Sequence, residues 1–265
     1  MKSEENKKSR RKRTEKQIEL LYTIYKFRFV TVDLLAMYLG ITQGTAQIRL
    51  NLLVRETYIG RLYDSTYRLR GKGARYMLLP NGFNELKRHR ELSPTIIKQL
   101  YKDPYASEAF ADRQVTVMEV ALTLINNHNV DNDKFLTKSE MIKYSGLPDY
   151  PPDGFFASAT KKSQNFFIDV VTEQEPLFVS LRKVREYIDF GETSEWEESG
   201  RPVPILLLIF ETEPSLKRVG KKVRQLVYSV GTEIMFGMTT LARLKTERSL
   251  RLISNDEDEP LLIKW

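Results

Sequence analysis

Three stretches within residues 15–54 carry apolar side chains at helical spacing, with turn residues between them. Ile18, Leu21, Tyr22 and Tyr25 recur at three- and four-residue steps, which predicts a first helix with one buried stripe. Leu34, Leu35, Tyr38 and Leu39 form the second stripe, with Thr31 as its expected N-cap and Gly40 at its end. Thr42 is expected to cap a third helix that buries Ala46, Leu50, Leu53 and Val54. Two short helices joined by a tight glycine-containing turn are the signature of a helix-turn-helix. A hairpin pattern follows, from Tyr58 to Tyr63 and, after Asp64-Ser65, from Tyr67 through Leu79, with Gly71 and Gly73 near its tip. Arg61, Arg68, Arg70, Lys72 and Arg75 decorate it, as they would the wing of a winged helix.

Charge sharpens this reading. The chain has 265 residues and a net charge of +7, but residues 1–100 hold 21 Lys and Arg against 9 Asp and Glu, whereas residues 101–265 hold 21 against 26. A basic half beside an acidic half points to a polyanionic partner for the basic one, here double-stranded DNA. Residues 1–13 contain Lys7, Lys8, Arg10, Arg11, Lys12 and Arg13 and no apolar residue after Met1, so a mobile arm that neutralises phosphates is expected. On the third helix Gln43, Thr45 and Arg49 are the expected base or backbone contacts, and on the wing Arg68, Arg70, Lys72 and Arg75. The outer face of that helix reads as Thr45, Ile48, Arg49 and Leu52. Its two apolar residues are poor readers of base edges, apart from a contact of Ile48 with a thymine methyl group. The alternative is burial against the second domain or another subunit, which would leave most of the DNA contact to the arm and wing.

Pro80-Asn81-Gly82 closes the wing, Phe83 to Arg90 reads as a short basic helix, and residues 91–105, with Pro94 and Pro104, read as a connection. A long helix from about Ser107 to Asn126 follows, with Phe110, Val117, Ala121, Leu124 and Ile125 on one face. Strands are expected at Phe135-Leu136, Phe155-Phe156, Phe166–Val171, Pro204–Phe210 and Ile234–Leu241, with helices at Leu177–Phe190 and Leu216–Tyr228. The sum is a mixed sheet covered by helices. Residues 253–265 form an acidic and then apolar tail. No apolar run approaches the length of a membrane span and no secretory h-region is present, so a cytoplasmic address is expected.

The chain has no cysteine and only two histidines, His89 and His128, which excludes disulfides, thiolate chemistry and histidine-rich metal clusters. It lacks the GxxxxGK[ST] phosphate loop and the GxSxG elbow. What remains is a set of carboxylates: Asp153 before a strand, Asp169 within one, and Glu119 on the preceding helix. Together they would suit a hard divalent cation such as Mg²⁺, able to activate water against a phosphodiester. The alternative is that Asp169 sits at a sheet rim, solvated or bonded to a neighbouring Arg or Lys.

Thr45-Ala46-Gln47-Ile48-Arg49-Leu50 with Leu53, and Gly71-Lys72-Gly73-Ala74-Arg75-Tyr76 leading to Pro80-Asn81-Gly82, resemble the replication-relaxation family of plasmid and mobile-element proteins. Pro152-Asp153-Gly154 and Phe167-Ile168-Asp169-Val170 are similar to that family's later motifs. The resemblance implies a role in plasmid replication and DNA relaxation, and a second domain akin to the PD-(D/E)xK nuclease fold with Glu119, Asp153 and Asp169 as its acidic positions. That nuclease pattern wants lysine two residues after the strand carboxylate, where this chain has Val171, so an inactive site is expected unless Lys161, Lys162 or Lys183 reaches in.

The expectation is therefore an α+β multidomain protein. A basic arm (1–13) precedes a winged helix-turn-helix (14–92). A restriction-endonuclease-like α/β domain with a mixed central sheet flanked by helices (105–252) and a tail (253–265) follow. It would act as a DNA-binding factor without catalysis, as a homodimer or with a replication or relaxation partner, and with no membrane contact. The alternatives are a Mg²⁺-dependent nickase that uses Asp153 and Asp169 as metal ligands, and a transcriptional regulator whose second domain senses a ligand.

Overall fold

A computed structural model describes residues 13–127, 135–144, 147–157, 165–192, 203–232, 234–247, 249–253 and 262–264. Thr14 opens helix α1 (Glu15–Phe27) through a reciprocal capping box with Gln17, and the helix buries Ile18, Leu21, Ile24 and Tyr25. Helices α2 (Val32–Tyr38) and α3 (Gln43–Arg55) follow. Between them Gly40 has φ +62°, a left-handed conformation that costs glycine nothing, and the chain turns there. The Thr42 side chain accepts from the Thr45 N–H, as expected of an N-cap, whereas Thr31 occupies the N-cap position of α2 without a side-chain cap bond. Ala46, Leu50 and Leu53 are fully buried.

Strands β1 (Ile59–Leu62) and β2 (Arg75–Leu78) pair antiparallel, Ile59 opposite Leu78 and Leu62 opposite Arg75. Val30, just ahead of α2, adds one bridge to Tyr76. Three helices closed by this hairpin form a winged helix-turn-helix. The wing differs from expectation at its tip. Instead of a strand from Tyr67, Ser65–Leu69 forms helix α4, because Asp64 Oδ1 accepts the Thr66 and Tyr67 N–H groups and caps it. Pro80-Asn81-Gly82 does not close a loop either. It starts helix α5 (Pro80–Leu86), where a Cβ on Gly82 would lie 2.3 Å from the Tyr58 carbonyl oxygen. The segment read as a connection carries helix α6 (Pro94–Leu100) and a 3₁₀ turn (Asp103–Tyr105), and it buries Ile96, Ile97 and Leu100.

Helix α7 (Glu108–Asn127) buries Val117, Met118, Val120, Ala121 and Leu124, which lie on more than one face. Two-sided burial follows from its position: α1 and α2 pack on one side and the sheet on the other. That sheet runs in sequence order: β3 (Phe135–Thr137), β4 (Gly154–Ala157), β5 (Asn165–Val171), β6 (Ile205–Phe210), β7 (Phe236–Thr240), β8 (Ser249–Ile253) and β9 (Leu262–Lys264). The pairs β5/β6 and β6/β7 are parallel and the other four antiparallel, so the sheet is mixed and the fold α+β. A short helix α8 (Lys138–Met141) follows β3. Helices α9 (Leu177–Gly191) and α10 (Glu213–Val230) make the two parallel crossovers, and α11 (Leu241–Thr246) follows β7.

Strand alternation sorts the core into two faces. Phe166, Ile168, Val170, Ile205, Leu207 and Ile209 pack with α7 and the winged-helix core. Phe167, Val171, Leu206, Leu208 and Phe210 pack with Val184 of α9 and Val219, Val223 and Val227 of α10. Polar ties join the winged helix to the sheet: Lys26 Nζ donates to the Phe135 carbonyl at 2.7 Å, and Thr137 Oγ1 donates to the Lys26 carbonyl at 2.7 Å. The tail is partly built into the sheet, since Leu262–Lys264 pairs with β8. Asp256–Glu259 lies outside the described residues. Among the described residues no helix is long and apolar enough to cross a membrane.

Candidate nucleic-acid interface

The outward face of α3 follows from its buried stripe. At 100° per residue, Gly44, Ile48, Asn51 and Arg55 lie opposite Ala46, Leu50 and Leu53, and all four are exposed. Thr45, Arg49 and Leu52, read from the sequence as the outer face, lie to its side and are half-buried. Ile48 is 72% exposed, so it is not buried against the second half of the chain. Gln43 is exposed at the start of the helix. The Thr45 hydroxyl is engaged locally, 2.9 Å from Thr42 Oγ1, and Gln47 donates to Asn51 and to the Tyr76 hydroxyl. Arg49 makes no ion pair among the described residues.

The basic side chains of the wing divide into two groups. Arg61 and Arg68 are exposed, Arg61 resting over the Tyr63 ring at 5.1 Å. Arg70, Lys72 and Arg75 instead turn back onto the first turns of α7. Arg70 meets Glu108 at 3.2 Å, and Lys72 meets Glu108 at 2.7 Å and Asp112 at 2.6 Å. Arg75, 6% exposed, donates to Asp112 from Nε at 2.9 Å and Nη2 at 2.6 Å. Lys72 and Arg75, expected on DNA, are therefore latches of the wing, because carboxylates on α7 lie within reach and desolvate them. Arg70 shares this pairing but stays exposed. Arg13 likewise pairs with Glu56 and lies over the Tyr58 ring at 4.3 Å, anchored at the end of α3. Lys7, Lys8, Arg10, Arg11 and Lys12 lie outside the described residues.

The carboxylates expected to form a metal site do not all meet. Asp153 and Asp169 are buried together at the end of β4 and β5, whereas Glu119 faces away and pairs with Lys245 of α11 at 2.6 Å. Because β4 begins at Gly154, opposite Ile168, the β5 backbone beyond that pair has no ladder partner on this side. Asp153 Oδ2 accepts the Val170 N–H at 2.9 Å, and Arg113 of α7 donates to the Val170 carbonyl at 3.2 Å. Arg113 also donates to Asp153 at 2.7 Å and to Asp169 at 2.8 Å. Lys183 of α9 reaches in from the other sheet face, 3.1 Å from Asp169 and 3.0 Å from Glu175. Bonding to a neighbouring Arg or Lys was the alternative expected for Asp169, although it is buried and not solvated at a rim. Lys161 and Lys162 lie outside the described residues.

Two cations thus face three carboxylates. Burial pushes Asp169 up to about 7, and the neighbouring Asp153 charge adds to the rise against Lys183 and Arg113. Burial also opposes ionisation of Asp153, but Arg113, Lys183 and the Val170 N–H outweigh it and hold that carboxyl below its usual range. Burial lowers Lys138 despite the pull of Asp153. The cluster borders a cavity of about 70 Å³ also lined by Lys26, Arg28 and Lys138. Such surroundings do not fit a divalent cation: Arg113 and Lys183 already occupy the oxygens of Asp153 and Asp169, and Lys138 stands beside them. Among the described residues no group of three or more His, Asp or Glu is placed to hold a metal. Arg113 was missed from the sequence, though a signal existed: it falls in line with Val117 and Ala121 on a stripe otherwise apolar.

The replication-relaxation family model matches residues 21–203, which covers both the helix-turn-helix and the carboxylate cluster. The chain belongs to the replication-relaxation family. Membership ties it to replication and DNA relaxation at the level of a family description. No sequence among the curated proteins matches the chain. Among solved structures, wild-type MarR from Escherichia coli in its apo form is similar at 19% identity and a TM-score of 0.27, over 38% of this chain and 71% of MarR. A point mutant of the same MarR, complexed with operator DNA, gives 19% identity and a TM-score of 0.27, over 43% and 76%. Superpositions this weak carry no argument about this member of the family.

Proposed function

We propose that the chain is a DNA-binding accessory factor of plasmid or mobile-element replication and DNA relaxation, and that it works without catalysis. Residues 14–92 form the contacting unit. The observation that carries this reading is the exposed face of α3, where Asn51 and Arg55 flank Ile48, with Gln43 exposed at the start of the helix, Arg49 beside the face, and Arg61 and Arg68 on the wing. Amide and guanidinium groups read base edges, and an exposed isoleucine suits a thymine methyl group. The Asp153–Arg113–Asp169–Lys183 cluster acts in this account as a buried tie between α7, the sheet and α9. Fluorescence anisotropy with a labelled duplex tests the contact. The double variant Gln43→Ala, Arg49→Ala is expected to lose roughly tenfold or more in affinity, about 1.4 kcal/mol, and affinity equal to wild type would sink the assignment.

A metal-dependent nickase is the second reading, and one observation favours it. The Lys183 ammonium stands at Asp169, where Val171 leaves the nuclease pattern without its lysine. Arg113, bound to both aspartates, weighs against it.

A further inference from the structure

Residues 101–265 are acidic in sum, yet five cations, Lys217, Arg218, Lys221, Lys222 and Arg224, fall within eight consecutive residues of α10. All five are exposed, and none forms a salt bridge among the described residues. The one acid of the helix, Glu213, is held by Arg243 through Nε at 2.6 Å and Nη2 at 2.7 Å. Lys217 and Lys221, and Arg218 and Lys222, are like charges four apart, an arrangement that disfavours a helix unless an outside anion neutralises it.

The apolar side of the helix decides which anion. Val219, Val223 and Val227 are buried against β6 and β7, so the apolar stripe beneath the five cations is spent on the sheet and not on a lipid surface. The five cations span about 10 Å along the axis, a length over which duplex DNA presents about six phosphate charges. Placement decides the geometry. Residues of β5 and β6 that face α10 alternate with those that face α7 and the winged helix, so the two basic surfaces lie on opposite faces of the sheet.

We infer that the exposed face of α10 is a second contact surface for the backbone of double-stranded DNA, so that one molecule joins two duplex segments. The inference rests on the reading of the chain as a DNA-binding factor and adds to it a second, sequence-independent site. α10 would bind phosphates through charge alone, whereas α3 carries the groups that read bases.

The test uses the full chain held on a bead-tethered duplex and asks whether it captures a second, fluorescent duplex. The variant carries Lys217→Ala, Arg218→Ala, Lys221→Ala, Lys222→Ala and Arg224→Ala. Alanine favours a helix, so the fold is expected to persist, and a thermal melt checks this. If the melt shows a loss, the milder pair Lys221→Gln, Lys222→Gln is used. Wild type should capture the second duplex, and the five-site variant should lose capture tenfold or more while it stays on the first. The salt slope of the second step should fall by about 2–4. Equal capture by the variant overturns the inference, including the case where a second copy of the chain supplies the second winged helix. Binding to anionic vesicles through α10 without capture of DNA overturns it too. If neither protein stays on the tethered duplex, the winged-helix reading fails first, which separates the two failures.

Discussion

Arg75 on the second wing strand donates to Asp112 on α7 from two nitrogens, at 2.9 and 2.6 Å, and is almost wholly buried by that contact. The wing is thereby latched to the α/β half of the chain. Its cations Lys72 and Arg75 serve this latch, Arg70 stands beside it, and Arg61 and Arg68 are left to meet a ligand.

Asp112→Asn should release the latch. Arg75 would keep its burial and lose its charge partner, at a cost of about 1–3 kcal/mol. Lys72 would be left with Glu108 alone, which should steepen the salt dependence of DNA binding by at most about one unit of slope. Urea unfolding and anisotropy titrations measure the two effects, and a variant as stable as wild type would argue that Asp112 does not hold the wing.

Arg113→Ala should be among the most damaging single changes in the chain. It removes the bonds to Asp153, Asp169 and the Val170 carbonyl and leaves two buried carboxylates short of positive charge. Breaking a buried pair in this way costs about 3–5 kcal/mol. The loss should shrink in acid, where the carboxylates accept protons, and a loss below about 1 kcal/mol near neutral pH would contradict the tie.

Asp169 predicts a specific pH dependence. Its pKa is raised to about 7, so the stability its protonated form contributes is complete below the ordinary carboxylate value and is lost as pH rises through about 7. Asp153 is lowered, so its contribution is present above the ordinary value and fades as pH falls below it. Asp169→Asn keeps a neutral group at every pH. Thermal melts should therefore place the variant closer to wild type, or above it, at pH 8 than at pH 5. An unchanged difference across that range would show that Asp169 does not titrate there.

Deletion of residues 1–12, which spares the anchored Arg13, should flatten the salt dependence of duplex binding by up to about 5 units if each of the six cations in that segment meets a phosphate. An unchanged slope would remove the arm from the account.

Much of the fold was legible because periodicity carries it: α1, α3, α7, β5, β6 and α9 lie where their apolar patterns place them. What was not legible depended on partners distant in sequence. Asp64 capping α4 is local chemistry that outcompeted a strand pattern. The fate of Lys72 and Arg75 was decided by Glu108 and Asp112, and their positive charge reads alike whether it meets DNA or an aspartate. Asp153 and Asp169 were recognised as a pair. Their neutralisation by Arg113 was not, because an arginine on an apolar stripe announces burial without naming what it will bind.

DNA binding without catalysis can be read from purified protein and supercoiled plasmid, with Mg²⁺ or Mn²⁺ and with EDTA, on a gel. Retarded plasmid that stays supercoiled in every condition is the expected result. Metal-dependent conversion to relaxed circles, abolished by Asp153→Ala, would contradict it and put the nickase reading in its place.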